Sequence, residues 1–372
     1  MGKLLVLSDA HVRTILLSLS KETVQRIATG LSKSLKDYSS GDTTSAGAAA
    51  QQASRTVRTR PDGVVNLFMP AMSSTAMASK LLGVPSPSAP SPGSPQRTAP
   101  RGAMLVLRPD GDPMAVLGAE ELTAFRTAMG ALLLFPRRKH VQNILVFGAG
   151  KQAIWHIRIA LMLRGSDVRS ITVVNRSPAR TAAMLAELQN DDQAKWSVHE
   201  SLEIKAGLEG LEPGSPAHGA KMEELVEAAD VIFCTTPSTA PLFDAELLTK
   251  SGKGRYITAI GSYKPHMKEL DPELMKFATT GGKLVFVDSR EGALEESGEI
   301  IDAGIGGDQL IELGELFGGQ IITSDDGSLE SWLEEGFLLY KGVGSGVMDV
   351  SVAEMLVLLA HETASGVLVD GF

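Results

Sequence analysis

The sequence predicts an α/β protein of two domains, one of them a parallel sheet covered on both faces. Three observations predict it. The chain has 372 residues, enough for two hydrophobic cores. From residue 143 onward, short strands of buried type ("NILVF", "SITVV", "ADVIFC", "GRYITAIG", "KLVFVDS") alternate with helical segments. Alternation of this kind implies parallel strands with helices on both faces. Before residue 119 the pattern is different, with alternating β-type runs folded about turn sequences after a helical N-terminus.

Composition narrows the class. Hydrophobic residues make up 43% of the chain, an ordinary globular fraction. A net charge of -9 argues against nucleic acid or an anionic membrane as partner. The single cysteine, Cys234, cannot form an internal disulfide, which fits a reducing compartment. No stretch approaches the roughly 18 apolar residues of a membrane span. The apolar N-terminus "MGKLLVLSDAHVRTILLSL" includes Asp9 and His11 and reads as helix, not as a signal peptide. A cytoplasmic protein is expected.

The elements follow in order. Residues 8–38 read as two helices, capped by Ser8 or Asp9 and by Ser20; Val24, Ile27, Leu31 and Leu35 form one apolar stripe. Residues 41–54, small and polar, read as a loop. "TVRTRPDGVVNLFMP" reads as a hairpin about Pro61-Asp62-Gly63, and "MLVLRPDGDPMAVLG" repeats the design about Asp110-Gly111. Between them, five prolines from Pro85 to Pro95 exclude helix and central strand, so residues 83–100 read as an exposed insertion. "AEELTAFRTAMGALLLF" is a helix with an acidic first turn. The C-terminal "DVSVAEMLVLLAHETA" is another.

The most informative stretch is "ILVFGAGKQAIWHIRIALM". Gly148, Gly150 and Ala153 form a G-x-G-x-x-A pattern between a buried strand and a helix, with Lys151 and Gln152 inside it. The first glycine permits a tight turn and the second lets the backbone approach a pyrophosphate. The small third residue lets helix and strand pack closely. Unpaired N–H groups at the helix N-terminus then meet the phosphates. This predicts a Rossmann-type domain that binds a nicotinamide dinucleotide. The next strand runs into Asn175 and Arg176, with Arg180 one turn on, where an NAD site would carry an acid for the ribose 2′-hydroxyl. Two cations and no acid suit a 2′-phosphate, so NADPH (NADP+) is the expected cofactor. Thr235, Thr236 and Pro237 follow a later strand and are expected to line the same crevice.

In the first domain three basic residues sit among apolar or small neighbours: Arg55, Lys80 and Arg126. Arg126 shares a helix face with Leu122 and Met129, and a buried arginine needs a counter-charge. That charge is either a structural partner, Glu121 or another acid, or a substrate carboxylate, which the planar guanidinium fork suits. The residues alone leave both open.

Six segments in this order, "MPAMSSTAMASKLLGV", "ELTAFRTAMGALL", "ILVFGAGKQA", "VVNRSPAR", "AIGSYKPHMKELDPELM" and "VFVDSREGALEESGEI", with "LYKGVGSGVMDVSVAEML" after them, resemble the ornithine cyclodeaminase/mu-crystallin family. The resemblance implies a homodimer. It also implies a discontinuous α/β substrate-binding and dimerisation domain (residues 1–130 with 330–372) packed on a Rossmann domain (131–329), with substrate bound in the cleft between them. On that pattern Arg55 and Arg126 hold a substrate carboxylate and Lys80 acts at the reacting carbon and nitrogen. The insertion after Lys80 would lie near the cleft mouth. In members that deaminate and cyclise ornithine, an aspartate follows the glycine of the "IGS" segment. This chain has Ser262 there, a poor general base, as in the imine-reducing members. Ser262 is expected to meet substrate. An acid usual before "GAEELTAFR" is also missing, Leu117-Gly118 standing in its place.

These readings predict an NADPH-dependent reductase of cyclic ketimine (imino) acids such as Δ1-pyrroline-2-carboxylate or Δ1-piperideine-2-carboxylate. The alternatives are an ornithine cyclodeaminase or alanine-type dehydrogenase, and a non-catalytic NADPH- or ligand-binding protein. Cys234 reads as an inert core residue. His140, His156 and His266 read as surface or structural, with no metal-ligand spacing, so no metal is expected. "REGALEESGEI" reads as a solvated helix face.

Overall fold

In a computed structural model of the chain, residues 2–41, 50–84, 100–192, 198–320 and 326–372 are described. They divide into two compact units, Met1–Arg126 with Ser345–Phe372, and Thr127–Gly344. The strands of the first unit are β1 (Lys3–Leu7), β2 (Gln51–Gln52), β3 (Thr56–Thr59), β4 (Val65–Met72), β5 (Met77–Val84), β6 (Arg101–Leu107) and β7 (Pro113–Gly118). Those of the second are β8 (Asn143–Phe147), β9 (Ser170–Val174), β10 (Glu203–Ala206), β11 (Val231–Cys234), β12 (Tyr256–Ala259), β13 (Val285–Val287), β14 (Leu310–Glu312) and β15 (Leu338–Lys341). The last strand, β16 (Val367–Asp370), returns to the first unit.

The first unit is a mixed sheet in the order β16-β1-β7-β6-β5-β4-β2, with β3 paired to β4. Both expected hairpins form. The Arg60 N–H donates to the Val64 carbonyl at 2.9 Å and the Arg108 N–H to the Asp112 carbonyl at 2.9 Å, closing the two turns. Helices cover one face. Val24, Ile27, Leu31 and Leu35 are the buried residues of the helix Lys21–Ser39, which packs on the long buried helix Gly346–Glu362. That second helix lies on β4 and β5. Strand alternation decides what it meets. Leu67, Met69 and Ala71 of β4 and Ala78, Lys80 and Leu82 of β5 point inward and are buried, whereas Phe68 and Leu81 point outward and are 41% and 43% exposed.

The N-terminus differs from the helical reading. Lys3–Leu7 is a strand, parallel to β7 and antiparallel to β16. A run of five residues is too short for its periodicity to separate strand from helix. The helix starts only at Asp9, with Ser8 as its cap. Asp9 serves elsewhere: its Oδ1 accepts from the Glu120 and Glu121 N–H groups at 2.9 and 3.1 Å. A Cβ on Gly118 would lie 2.6 Å from the Asp9 carboxyl carbon, so the bare glycine leaves room for that acid. Of the expected loop at 41–54, Gln51–Gln52 is a strand and residues 42–49 lie outside the described residues. Residues 85–99, the bulk of the Pro/Ser-rich insertion, also lie outside them.

The second unit is a parallel sheet in the order β10-β9-β8-β11-β12-β15-β13-β14. Strand order runs outward in both directions from β8 and β11. The gap between their carboxyl ends is the topological switch point, where open α/β sheets bind ligands. The central strands are buried on both faces, as their unbroken apolar runs require. The unit boundaries fall at 126/127 and 344/345, not at 130/131 and 329/330. Leu338–Lys341, expected in the first domain, instead pairs with β12 and β13. Among the described residues no helix is long and apolar enough to cross a membrane.

Candidate active site

The glycine turn lies at the switch point. Gly148 follows β8 with φ +112°, a conformation side chains rarely adopt. A Cβ there would also lie 2.5 Å from Thr235 Oγ1, and that hydroxyl donates to the Phe147 carbonyl at 2.7 Å. Gly150 caps the helix Lys151–Arg164 and contributes no side-chain bond to its N–H groups. It faces open space: a Cβ at this position would meet no atom within 4 Å. The first N–H groups of that helix therefore meet the space over the glycine. Lys151 and Gln152 are half-buried in the first turn, and Ala153 is fully buried against the sheet. This arrangement fits a pyrophosphate: an open cradle, a positive helix end and close packing beneath it.

Asn175 and Arg176 stand beside this turn, because the Gly148 N–H donates to the Val174 carbonyl at 2.9 Å. Asn175 Nδ2 donates to the Ser177 carbonyl at 3.0 Å, which shapes the start of the helix Pro178–Asp192. Arg176 and Arg180 are exposed. The segment between them holds no carboxylate to repel a 2′-phosphate. Thr235, Thr236 and Pro237 lead away from β11 at the same edge. The structure thus brings the predicted nucleotide residues to one rim of the sheet.

Behind that rim lies a buried polar cluster that sequence reasoning missed. Glu269 Oε1 accepts from the Thr236 N–H at 2.5 Å and from Thr236 Oγ1 at 3.1 Å. Its Oε2 accepts from the Gly261 and Ser262 N–H groups at 2.6 and 3.2 Å. Burial pushes the Glu269 carboxyl up to about 7 and the Glu299 charge adds to the rise, against Lys341 and the N–H donors. Ser262 is fully buried; its hydroxyl donates to Glu299 Oε1 and accepts from Lys341 Nζ at 2.6 Å. Among the described residues, the partners of the Ser262 hydroxyl are thus Glu299 and Lys341. The reading of "REGALEESGEI" as a solvated face holds for Glu291 and Glu295, which are exposed, and is corrected for its end, where Glu299 is 0% exposed. The signal available was an acid and a lysine lodged in apolar company, "SGEII" and "FLLYKGV". His156 is buried, with Nδ1 2.7 Å from the Gln152 carbonyl; burial drives its pKa down to about 4. It is a neutral structural residue. The buried Cys234 thiol is pushed up by desolvation and is inert.

The first unit holds a second constellation. Lys80 Nζ lies 2.6 Å from Asp349 Oδ2, and Arg126 Nε lies 2.8 Å from Asp349 Oδ1. All three residues are at most 3% exposed. Alternation along β5 turns Lys80 inward between Met69 and Met104, its buried cross-strand neighbours. Asp349 occupies the first turn of the helix Gly346–Glu362, where the dipole favours an anion. Gln52 Oε1 fixes that helix end, accepting from the Gly346 N–H at 2.8 Å and Ser345 Oγ at 2.9 Å. The Arg126 counter-ion in the structure is thus another acid than Glu121, namely Asp349. Glu121 lies 4.0 Å from Arg13 instead. Asp349 escaped notice in the sequence although it is an acid within the apolar run "GVMDVSVAEML".

The charge balance of this cluster is uneven. Burial above all, with the positive charges of Arg126 and Arg55, lowers the Lys80 pKa to about 8 against the opposing pull of Asp349. Two buried cations, Lys80 and Arg126, thus share the one carboxylate of Asp349, with Arg55 near enough to act on Lys80. Arg126 Nη1 is buried with no hydrogen-bond partner among the described residues. A buried donor and surplus positive charge call for a second anion. Among the described residues no three His, Cys, Asp or Glu side chains group as a metal site.

Known proteins are similar to this chain over most of its length. The model of the "Ornithine cyclodeaminase/mu-crystallin family" matches residues 11–206 and 217–363. An uncharacterized protein of Saccharomyces cerevisiae is 28% identical over 94% of this chain and 95% of its own length. Delta(1)-pyrroline-2-carboxylate reductase of Bacillus cereus is 29% identical over 69% of this chain and 70% of its own length. The solved Thermococcus litoralis Delta(1)-pyrroline-2-carboxylate reductase, in complex with NADH and L-proline, superposes with a TM-score of 0.74 at 21% identity, over 98% of this chain and all of that one.

Proposed function

The chain belongs to the ornithine cyclodeaminase/mu-crystallin family, and on that premise we propose that it is an NADPH-dependent reductase of cyclic imino acids, Δ1-pyrroline-2-carboxylate or Δ1-piperideine-2-carboxylate. The observation that carries this reading is the pair of buried cations Lys80 and Arg126 on the single carboxylate of Asp349, with Arg126 Nη1 buried and without a hydrogen-bond partner among the described residues. A substrate carboxylate supplies the missing anion. Arg126 offers its buried Nη1 to it and Arg55 adds charge. Lys80, held near a pKa of 8, can carry a proton at neutral pH and give it to the imine nitrogen as the C=N bond is reduced. NADPH, when bound, supplies the hydride to the imine carbon. The glycine turn and the N-terminus of the helix Lys151–Arg164 take its pyrophosphate, and Arg176 and Arg180 take its 2′-phosphate.

The reading disfavours ornithine cyclodeamination. The position after Gly261 carries no acid, and the serine there is committed to Glu299 and Lys341. A homodimer is part of the proposal. The outward face of the first unit's sheet carries exposed Phe68, Met72, Leu81 and Leu105, an apolar surface suited to a second copy. The test of function is a panel assay of the purified protein with NADPH and imino acids, alongside ornithine and alanine with NADP+. Imino-acid reduction without ornithine turnover supports the reading. Ornithine or alanine turnover in its place, or nucleotide binding without any turnover, contradicts it.

A further inference from the structure

We propose that Glu269 is a positioning residue for the nicotinamide nucleotide: its carboxylate ties the loop after β11 to the loop after β12 and so fixes the floor of the crevice at the carboxyl ends of those strands. The inference rests on the nucleotide reading above. Strands β11 and β12 are parallel neighbours, with Cys234 opposite Ala259. Beyond the strands the backbone joins the two loops farther out, at the Thr239–Lys268 bridge, where the Lys268 N–H donates to the Ser238 carbonyl at 2.9 Å. At the strand ends themselves Glu269 makes the link, one oxygen serving Thr236 and the other serving Gly261 and Ser262. The loops are in close contact: a Cβ on Gly261 would lie 2.1 Å from the Thr236 carbonyl oxygen. Thr235, next to the clamped residue, is the side chain packed under Gly148. A shift of the clamp therefore reaches the glycine turn.

The clamp is itself anchored. The Glu269 N–H donates to Glu299 Oε1 at 3.1 Å, and its carbonyl accepts from the Leu242 N–H at 2.9 Å. Glu299 also accepts from Ser297 Oγ at 3.0 Å and lies 3.6 Å from Lys341 Nζ, which donates to the Ser262 carbonyl at 2.5 Å. The charged and titratable groups facing Glu269 are thus Glu299, Lys341 and the Cys234 thiol. One lysine balances only one of two buried carboxylates. A buried acid in this setting is costly, and well-packed apolar residues usually serve stability as well or better. What an apolar residue cannot do is accept from four donors on two loops at once. The excess negative charge also means that the cluster takes up a proton near neutrality, and protonation turns one acceptor oxygen into a donor facing N–H groups.

The test is a nucleotide fluorescence titration of wild type, Glu269→Gln and Glu269→Asp between pH 6 and 8.5, with imino-acid KM measured in parallel. NADH is used for the pH series because it lacks a titrating 2′-phosphate. The expected result is that Glu269→Gln weakens NADPH about tenfold or more, while imino-acid KM stays within about twofold. Wild-type NADH affinity falls on acidification through about pH 7, and Glu269→Gln is flat. Glu269→Asp keeps the pH dependence but, one methylene shorter, does not restore full affinity. Should Glu269→Gln not fold, the wild-type series and Glu269→Asp decide. A flat wild-type NADH affinity, or a folded Glu269→Gln chain that binds both nucleotides as wild type does, overturns the inference alone. A wild-type chain that binds no nicotinamide nucleotide at any pH overturns the functional reading and the inference with it.

Discussion

Lys80 Nζ stands 2.6 Å from Asp349 Oδ2 in a site closed to solvent, while the other oxygen of the same carboxylate holds Arg126 at 2.8 Å. One acid keeps two buried cations in place. Deleting its charge leaves both uncompensated, the costly case for buried ion pairs. Asp349→Asn is expected to lose about 3–5 kcal/mol of stability, read as a lower melting temperature. An unchanged melting temperature would show that the cations are balanced elsewhere.

Lys80 also makes stability depend on pH. Its folded pKa, about 8, lies below the ordinary 10.5, chiefly because of burial. Between those values the unfolded chain binds the extra proton, so the Lys80 contribution is present above pH 10.5 and is lost as pH falls to about 8. Lys80→Met keeps the apolar stem and removes the titration. Comparing denaturant unfolding of wild type and Lys80→Met from pH 7.5 to 10.5 checks this. The difference between them is expected to change with pH in that window and to be constant below it.

The second-unit arginines carry the cofactor prediction. One charge-assisted contact to a phosphate contributes roughly 1.5–3 kcal/mol, so NADPH is expected to bind at least about tenfold tighter than NADH. Arg176→Ala narrows that gap, and because Arg176 is exposed the fold is unaffected. Equal affinities in the wild-type protein, measured by fluorescence titration, would rule the preference out.

Ser262 carries a negative prediction. With its hydroxyl engaged by Glu299 and Lys341, no base is available at that position. Ornithine is expected to yield neither ammonia nor proline. Sustained proline formation from ornithine by the pure protein would contradict this. Ser262→Asp is not expected to create the activity, because it would place a third carboxylate beside Glu269 and Glu299 in a buried cluster holding one lysine.

The fold was legible where periodicity is long or the turn chemistry is strong. The stripe Val24, Ile27, Leu31 and Leu35, the two Asp-Gly hairpins and the glycine turn after β8 each express a local rule. What escaped is short or non-local. Strands β10 (EIKA), β14 (LIE) and β15 (LLYK) each carry a charged residue within three or four positions and so lack the unbroken apolar run that marked the equally short β11 (VIFC) and β13 (VFV). Lys3–Leu7 became a strand because its partners lie more than a hundred residues away. In the site, Arg55, Lys80 and Arg126 stood out as cations among apolar or small neighbours. Asp349 did not stand out, because its meaning depends on two residues brought to it from β5 and from the helix Ala119–Ala131. Glu269 was hidden for the same reason, since nothing local marks the acid in "MKELDPEL" as buried, whereas Glu299 in "SGEII" had apolar neighbours to mark it.

The central claim is that Lys80 and Arg126 form the substrate site, and steady-state kinetics of Lys80→Met and Arg126→Ala on the imino acid the parent reduces best test it most directly. Arg126 binds a carboxylate present in ground and transition states alike, so Arg126→Ala is expected mainly to raise KM, cutting kcat/KM about tenfold to a hundredfold or more. Lys80 acts as charge changes at the nitrogen, so Lys80→Met is expected to lower kcat more than it raises KM. NADPH affinity changes little in either variant. If both folded variants keep the wild-type kcat/KM, the cations are structural partners of Asp349 and the site lies elsewhere.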